Sequence, residues 1–232
     1  MQSSMAAGLG RGLKIVVPVI FGYLPVGFAY GVLAEKSGLC LFNAVAMSVM
    51  VYAGSAQLIG TGLIAGGAGA AALIFTTFVV NLRHLLMSAA LAPRLAAWKK
   101  WQVALFAAEL TDETFALHSL RLTADTPKAE TFAINLFAQA AWVLGSLAGF
   151  LAGGQMTQIR PIGLDYALPA MFIALLAPQV MKPLYLAMAV CAAALSVTLV
   201  LLGFGRAHVI IATIVCATCG AGFEAWINRR SS

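Results

Sequence analysis

The chain has 232 residues, of which 62% are hydrophobic and only 9% are charged. Soluble domains carry about 25% charged residues, so this composition excludes an ordinary soluble protein and indicates an integral membrane protein. The net charge of +6 does not indicate nucleic-acid binding, because the basic residues lie at the ends of apolar segments without interleaved aromatic residues.

Apolar segments of membrane-spanning length fill most of the chain. A spanning helix needs roughly 20 apolar residues, so the sequence allows six to eight membrane segments and no soluble domain. We predict an all-α, polytopic membrane protein with broken or re-entrant helices. Residues 1–232 are expected to form a single transmembrane transport domain, with residues 1–14 as a cytoplasmic N-terminal tail.

The first segment covers residues 15–34 and contains two prolines, Pro18 and Pro25. A proline removes a backbone donor and kinks a helix, so we expect this segment to be bent or broken near Pro25. Gly27 and Gly31 form a G-x-x-x-G pattern, which favours close packing against another helix.

The second apolar stretch, residues 39–67, is interrupted by the polar sequence YAGSAQ. It is either one long span or two half-helices that enter the membrane and return, and the ends of half-helices can hold ions or substrates. Tyr52, Ser55 and Gln57 are therefore candidate substrate-binding residues. The alternative is that Ser55 and Gln57 only form hydrogen bonds between helices.

The third segment contains a second polar interruption, NLRH. On a continuous helix Thr77, Asn81, His84 and Ser88 share one face, and Arg83 points elsewhere unless the helix is broken at Asn81. We expect a break at YAGSAQ, at NLRH or at both, with the breaks facing each other. Asn81 and Arg83 are candidate substrate-binding residues, and the alternative is a structural polar knot.

The fourth segment, residues 102–122, carries three acids, Glu109, Asp112 and Glu113, at the spacing of one helical face. Acids at membrane depth are costly, so we predict a short or re-entrant helix that faces an aqueous cavity. Like charges this close raise the pKa of at least one carboxyl group, which favours proton exchange near neutral pH.

Coupling to protons is therefore predicted at Asp112 and Glu113, together with His84, since an ordinary histidine titrates near neutral pH. The competing view is that Asp112 caps a helix or pairs statically with Arg83 or Arg121. No nucleotide-binding P-loop is present, so we expect a proton or the membrane potential to drive transport. No metal site and no cofactor are expected.

Four more segments follow, at about residues 131–152, 164–181, 184–203 and 207–227. If residues 40–66 and 102–122 are re-entrant, six true spans remain, and the positive-inside rule places both termini and residues 94–130 in the cytoplasm.

Five motifs occur in one order along the chain: PVGFAYG at Pro25, VYAGSAQ at Val51, NLRHLLMSAALAP at Asn81, LTDETFAL at Leu110 and LDYALPAMFIALLAP at Leu164. Together they resemble the AzlC family, the large subunit of branched-chain amino acid exporters. The resemblance implies a multi-pass protein of the bacterial cytoplasmic (inner) membrane that exports leucine, isoleucine and valine, with methionine as a further candidate. It also implies a small AzlD-like membrane partner, with membrane lipids around both.

The chemistry of an amino acid zwitterion fits these candidates. Arg83 or helix N-termini would bind the carboxylate, and broken-helix carbonyls, Gln57 or Asp112 would bind the ammonium group. Phe172 and its apolar neighbours would shape the pocket for the side chain. A channel or scaffold subunit is the alternative function, and an intramembrane enzyme lacks any catalytic signature in this sequence.

Overall fold

The structure is a computed structural model, and it describes residues 2–123, 125–156, 173, 180, 183–203 and 207–230. Helices and no β-strand occur in these ranges, which confirms the predicted all-α class. The α-helices are α1 (Gln2–Lys36), α2 (Leu41–Ala46), α3 (Gly54–Ala65), α4 (Ala70–Leu91), α5 (Lys100–Ala108), α6 (Asp112–Arg121), α7 (Lys128–Gly153), α8 (Pro183–Leu201) and α9 (Ala207–Arg230). A π-helix, Met47–Val51, continues α2, and a 3₁₀-helix, Ala92–Leu95, follows α4.

Within the described ranges, four helical segments are long and apolar enough to cross a membrane. They are Met5–Lys36, Ala70–Leu95, Lys128–Gly153 and Pro183–Leu201. This finding agrees with the polytopic membrane protein that the composition indicates. The count of six to eight segments stays a prediction, because segment 164–181 lies almost wholly outside the described residues, and Phe172 with it.

Backbone packing divides the chain into two compact units, residues 1–171 and residues 172–232. In the second unit α8 packs against α9. Ser196 Oγ lies 2.8 Å from His208 Nδ1, and the Tyr185 hydroxyl donates to Glu224 Oε1 at 2.8 Å. The predicted site residues other than Phe172 all belong to the first unit.

Helices α1 and α7 pack together along glycine faces in the first unit. A Cβ added at Gly31 would overlap the carbonyl oxygen of Ser146, and one at Gly149 would overlap that of Phe28. Only glycine allows the two backbones to approach this closely, which confirms the packing role predicted for the G-x-x-x-G pattern.

Helix α1 continues without interruption through Pro18 and Pro25, so no break occurs near Pro25, and the alternative of a bend stays a prediction. Each proline removes one backbone donor, but the close contact with α7 holds the helix together along its length. The helix also begins at Gln2, inside the segment expected to be a tail, and Arg11 Nε pairs with Glu130 Oε2 at 2.8 Å. The cytoplasmic location of residues 1–14 stays a prediction.

The helical structure is interrupted at Tyr52 and Ala53, between the π-helix and α3, which confirms the predicted interruption at YAGSAQ. Tyr52 is the one non-glycine residue with a positive φ, 43°, in the part of the chain that the structure describes. Gly54 follows it against the ring of Trp142, and a Cβ at Gly54 would lie 2.7 Å from Cη2 of that ring. The interruption therefore packs directly against α7.

The NLRH motif lies inside α4, which is continuous from Ala70 to Leu91. Of the two motifs at which a break was expected, only YAGSAQ therefore has one. Arg83 reaches its polar partners from a regular helical backbone, because its side chain is long. No backbone carbonyl or amide of α4 has to be freed for that purpose.

The predicted fourth segment, residues 102–122, is two short helices and not one. Thr111 caps the start of α6, since its Oγ1 accepts from the Thr114 backbone amide at 3.3 Å. Glu109 lies beyond the end of α5, so the expectation that it shares a helical face with Asp112 is wrong. A short element at this place in the chain was nevertheless predicted correctly.

Candidate functional site

A polar cavity lies where the helix break meets α1, α4, α6 and α7. The space open to water-sized molecules is about 20 Å³, enough for about one water and too small for an amino acid. The cavity is therefore closed to a molecule of that size in this conformation. The lining residues are Tyr23, Tyr52, Ala53, Gly54, Ser55, Arg83, His84, Thr111, Asp112, Glu113 and Trp142.

Arg83 connects three elements across this cavity. Its Nη1 lies 2.7 Å from Asp112 Oδ2, which joins α4 to α6. Its Nη2 donates to Ser55 Oγ in the first turn of α3. Both charged side chains are about one quarter exposed, so their attraction is screened less than that of a surface pair. The buried Nε of Arg83 has no acceptor among the described residues.

Tyr23 connects α1 to the same end of α6. Its hydroxyl donates to Glu113 Oε2 at 2.6 Å and lies 2.6 Å from Thr111 Oγ1. Glu113 lies outside the four helical segments long enough to span a membrane. Burial raises the pKa of the Glu113 carboxyl, while the hydrogen bond from Tyr23 favours the ionised form and acts in the opposite direction.

Tyr52 brings a polar group to the cavity that nothing in the described chain satisfies. The residue is 3% exposed, and its hydroxyl has no hydrogen-bond partner there. Its ring packs edge-on against Tyr23, with 6.4 Å between the ring centroids. A buried hydroxyl without a partner is unfavourable, so a water or another polar group that entered the cavity would stabilise this position.

Gln57 does not line the cavity but belongs to a separate buried network behind it. Its Nε2 donates to Ser48 Oγ at 3.1 Å, and its Oε1 accepts from Trp142 Nε1 at 3.1 Å. Ser48 in turn donates to Ser146 Oγ at 2.9 Å. Because Trp142 forms a wall of the cavity, this arrangement supports the interhelical alternative for Gln57. Its role in substrate binding stays a prediction.

The NLRH residues are divided between two places. Arg83 and His84 line the polar cavity together, although a single face containing His84 without Arg83 was expected. His84 Nδ1 lies 3.1 Å from the Asn81 backbone oxygen. Asn81 itself lines a mostly apolar groove of about 480 Å³ between the π-helix, α3 and α4. The structure therefore gathers Tyr52, Ser55, Arg83, His84, Asp112 and Glu113, but not Asn81 or Gln57.

Of the lining residues with polar or aromatic side chains, three were missed by the sequence argument: Tyr23, Thr111 and Trp142. For Thr111 a local signal existed, since a threonine followed by two acids is typical of an N-cap and the first turn of a helix. For Tyr23 and Trp142 we find no local signal, because each is one aromatic residue within a long apolar helix. Their contribution depends on the packing of α1 against α7.

Comparison with known proteins identifies the family. Residues 18–156 match a family model described as AzlC protein, and every residue that lines the polar cavity falls within this range. The chain belongs to the AzlC family. It is similar to the inner membrane protein YgaZ of Escherichia coli (strain K12), with 30% identity over 225 residues, which covers 93% of this chain and 90% of that protein.

Other relatives extend over most of the chain. An uncharacterized membrane protein of Archaeoglobus fulgidus is 30% identical over 215 residues, 91% of this chain and 93% of the relative. The branched-chain amino acid transport protein AzlC of Bacillus subtilis (strain 168) is 26% identical over 186 residues, 78% of this chain and 71% of the relative. No solved structure matches the chain. The relatives and the apolar helices together make this AzlC-family chain a membrane protein.

Proposed function

We propose that this chain is a secondary transporter subunit that exports branched-chain and similar apolar amino acids across the bacterial cytoplasmic membrane. The observation that carries the proposal is the cavity at the helix break, where one arginine and two carboxyl groups converge between apolar helices. Charged groups at such a position are costly, and where they occur they pair with one another and mark substrate or ion pathways. The name of the Bacillus subtilis relative supports the substrate class.

An amino acid zwitterion is complementary to this cavity. The Arg83 guanidinium is suited to the carboxylate, and the backbone amides at the start of α3 add partners of the same kind. The Asp112 carboxylate is suited to the ammonium group. In the closed conformation Arg83 and Asp112 satisfy each other at 2.7 Å, so substrate entry requires the pair to separate. The carboxylate of the zwitterion would then bind Arg83 in place of Asp112, and its ammonium group would bind Asp112 in place of Arg83.

Coupling is proposed for the group formed by Asp112, Glu113 and His84, all of which line the cavity. A small AzlD-like membrane subunit is proposed as the partner in export, with leucine, isoleucine and valine as substrates and methionine as a further candidate. A channel or a scaffold subunit remains the competing function. Net export against a gradient would separate a coupled transporter from both.

The test uses cells that lack their own branched-chain exporters and express this chain with and without a candidate small partner. After feeding with hydrophobic dipeptides, intracellular leucine and valine should accumulate less in cells that express both chains. Arg83→Gln should abolish this protection, and Leu85→Ala, a substitution at an exposed position of the same helix, should preserve it. Equal accumulation with and without both chains would contradict the proposal.

A further inference from the structure

Two neighbouring carboxyl groups of the cavity have different surroundings. Asp112 pairs with Arg83 at 2.7 Å, whereas Glu113 forms no ion pair among the described residues. The Glu113 carboxylate instead accepts a hydrogen bond from the Tyr23 hydroxyl at 2.6 Å. One acid is therefore held by a cation and the other by a neutral donor.

We propose that Glu113 is the residue that carries the coupled proton, and that Tyr23 is the positioning residue that holds its carboxyl group in both protonation states. Asp112 remains ionised as the counter-ion of Arg83. The inference rests on the proposed transport function. In the step itself, an O–H bond forms on Glu113 Oε2 as one breaks on a hydronium ion from one side of the membrane, and the reverse step releases the proton to water on the other side.

The hydrogen bonds around Tyr23 allow both states. With Glu113 ionised, Tyr23 donates to Oε2, and the Thr111 hydroxyl can donate to Tyr23 across 2.6 Å. With Glu113 protonated, the carboxyl donates to Tyr23, which then donates to Thr111 Oγ1. Thr111 in turn can donate to Thr114 Oγ1, which lies 3.1 Å away. Each hydroxyl thus keeps a donor and an acceptor when the proton arrives or leaves, which avoids the penalty of an unsatisfied buried group.

The charges around the cavity favour a proton on Glu113 over one on Asp112. Protonation of Asp112 would leave the guanidinium of Arg83 without its counter-ion, which is strongly unfavourable for a partly buried cation. Protonation of Glu113 breaks no ion pair, and burial already raises the pKa of this carboxyl. The titratable and charged groups of the surrounding elements are Tyr23, Tyr52, Arg83, His84, Glu109 and Asp112.

The first test uses the complete transporter, with its partner, in liposomes loaded with leucine. Glu113→Gln should keep leucine exchange between equal pools and lose accumulation driven by a pH gradient. Asp112→Asn should reduce both, because it releases Arg83. Retained gradient-driven accumulation in Glu113→Gln would overturn the assignment, as would loss of accumulation with intact exchange in Asp112→Asn.

Tyr23→Phe tests the positioning role by its pH profile. Without the donor that favours ionised Glu113, the pH midpoint of accumulation should move to higher pH. Tyr30→Phe removes another buried hydroxyl of α1, one that donates to the Ala44 carbonyl, and should leave the midpoint unchanged. A lower rate with an unmoved midpoint in Tyr23→Phe would mean that Tyr23 only supports the fold.

A second measurement needs no substrate and separates this inference from the transport proposal. The folded-state pKa of Glu113 is raised, so its neutral carboxyl stabilises the wild type at low pH, and this stability is lost as pH rises through that pKa. Glu113→Gln should therefore gain in Tm relative to the wild type as pH rises. A constant Tm difference would overturn the inference. A widening difference in a protein that exchanges no leucine would uphold the proton site and overturn the transport proposal.

Discussion

Arg83 Nη1 on α4 and Asp112 Oδ2 at the start of α6 lie 2.7 Å apart, and this ion pair forms part of the wall of the polar cavity. Arg83 and Asp112 are 29 positions apart in the sequence. Arg83 lies on α4, one of the places where a break was expected. Because the pair is only about one quarter exposed, its energetics should lie between those of surface and buried pairs.

We expect Arg83→Gln to destabilise the protein by about 1–3 kcal/mol, because Asp112 is left without its cation. The double variant Arg83→Gln/Asp112→Asn should be more stable than Arg83→Gln alone, since neither charge is then uncompensated. Thermal unfolding of the purified protein in detergent measures both effects, with Leu85→Ala as a control. Strictly additive losses in the double variant would show that the two side chains do not interact.

Close packing of α1 on α7 should not tolerate a side chain at Gly149. A Cβ there overlaps the Phe28 carbonyl, so Gly149→Ala should cost about 1–3 kcal/mol through overpacking and lower the yield of folded protein. Gly22→Ala is the matched control, because a Cβ at Gly22 meets nothing within 4 Å. Size-exclusion chromatography of fluorescently tagged protein gives both yields, and equal yields would contradict the observed contact.

For Gln57 the structure supports a bracing role, and the sequence favours a substrate contact as well. Gln57→Leu removes the partner of the buried Trp142 Nε1, so we expect a loss of about 1–3 kcal/mol in stability. Half-saturation by leucine should stay close to that of the wild type, because Gln57 does not line the cavity. A large rise in the leucine concentration that half-saturates transport, with an unchanged Tm, would instead establish Gln57 as a substrate ligand.

The Tyr52 hydroxyl should act on substrate and not on stability. It has no partner among the described residues in the closed conformation, so Tyr52→Phe should leave Tm unchanged or slightly raised. The half-saturating leucine concentration should rise if this hydroxyl binds the amino acid after opening. Tyr30→Phe should show the reverse, a loss of about 1 kcal/mol without a change in affinity. Unchanged affinity in Tyr52→Phe would remove Tyr52 from the site.

Local sequence patterns were sufficient for part of the fold and for most of the cavity. Gly27 and Gly31 predicted close helix packing, because a residue without a side chain lets another helix approach its backbone, whichever part of the chain that helix comes from. The interruption at YAGSAQ was predictable because polar residues within an apolar run are costly in a membrane unless they find partners or water. Six of the nine predicted site residues then converge on one cavity, since polar groups within an apolar bundle gather where they satisfy one another.

The sequence by itself determined an all-α membrane protein, an interruption at YAGSAQ and a short acidic element near Asp112, because these follow from composition and local spacing. Only the tertiary structure decided that α4 stays continuous, that Arg83 meets Asp112, and that Tyr23 holds Glu113. These contacts join residues far apart in the chain. Their formation depends on how α1 and α7 pack and on where the break is seated, and no local pattern encodes those distances.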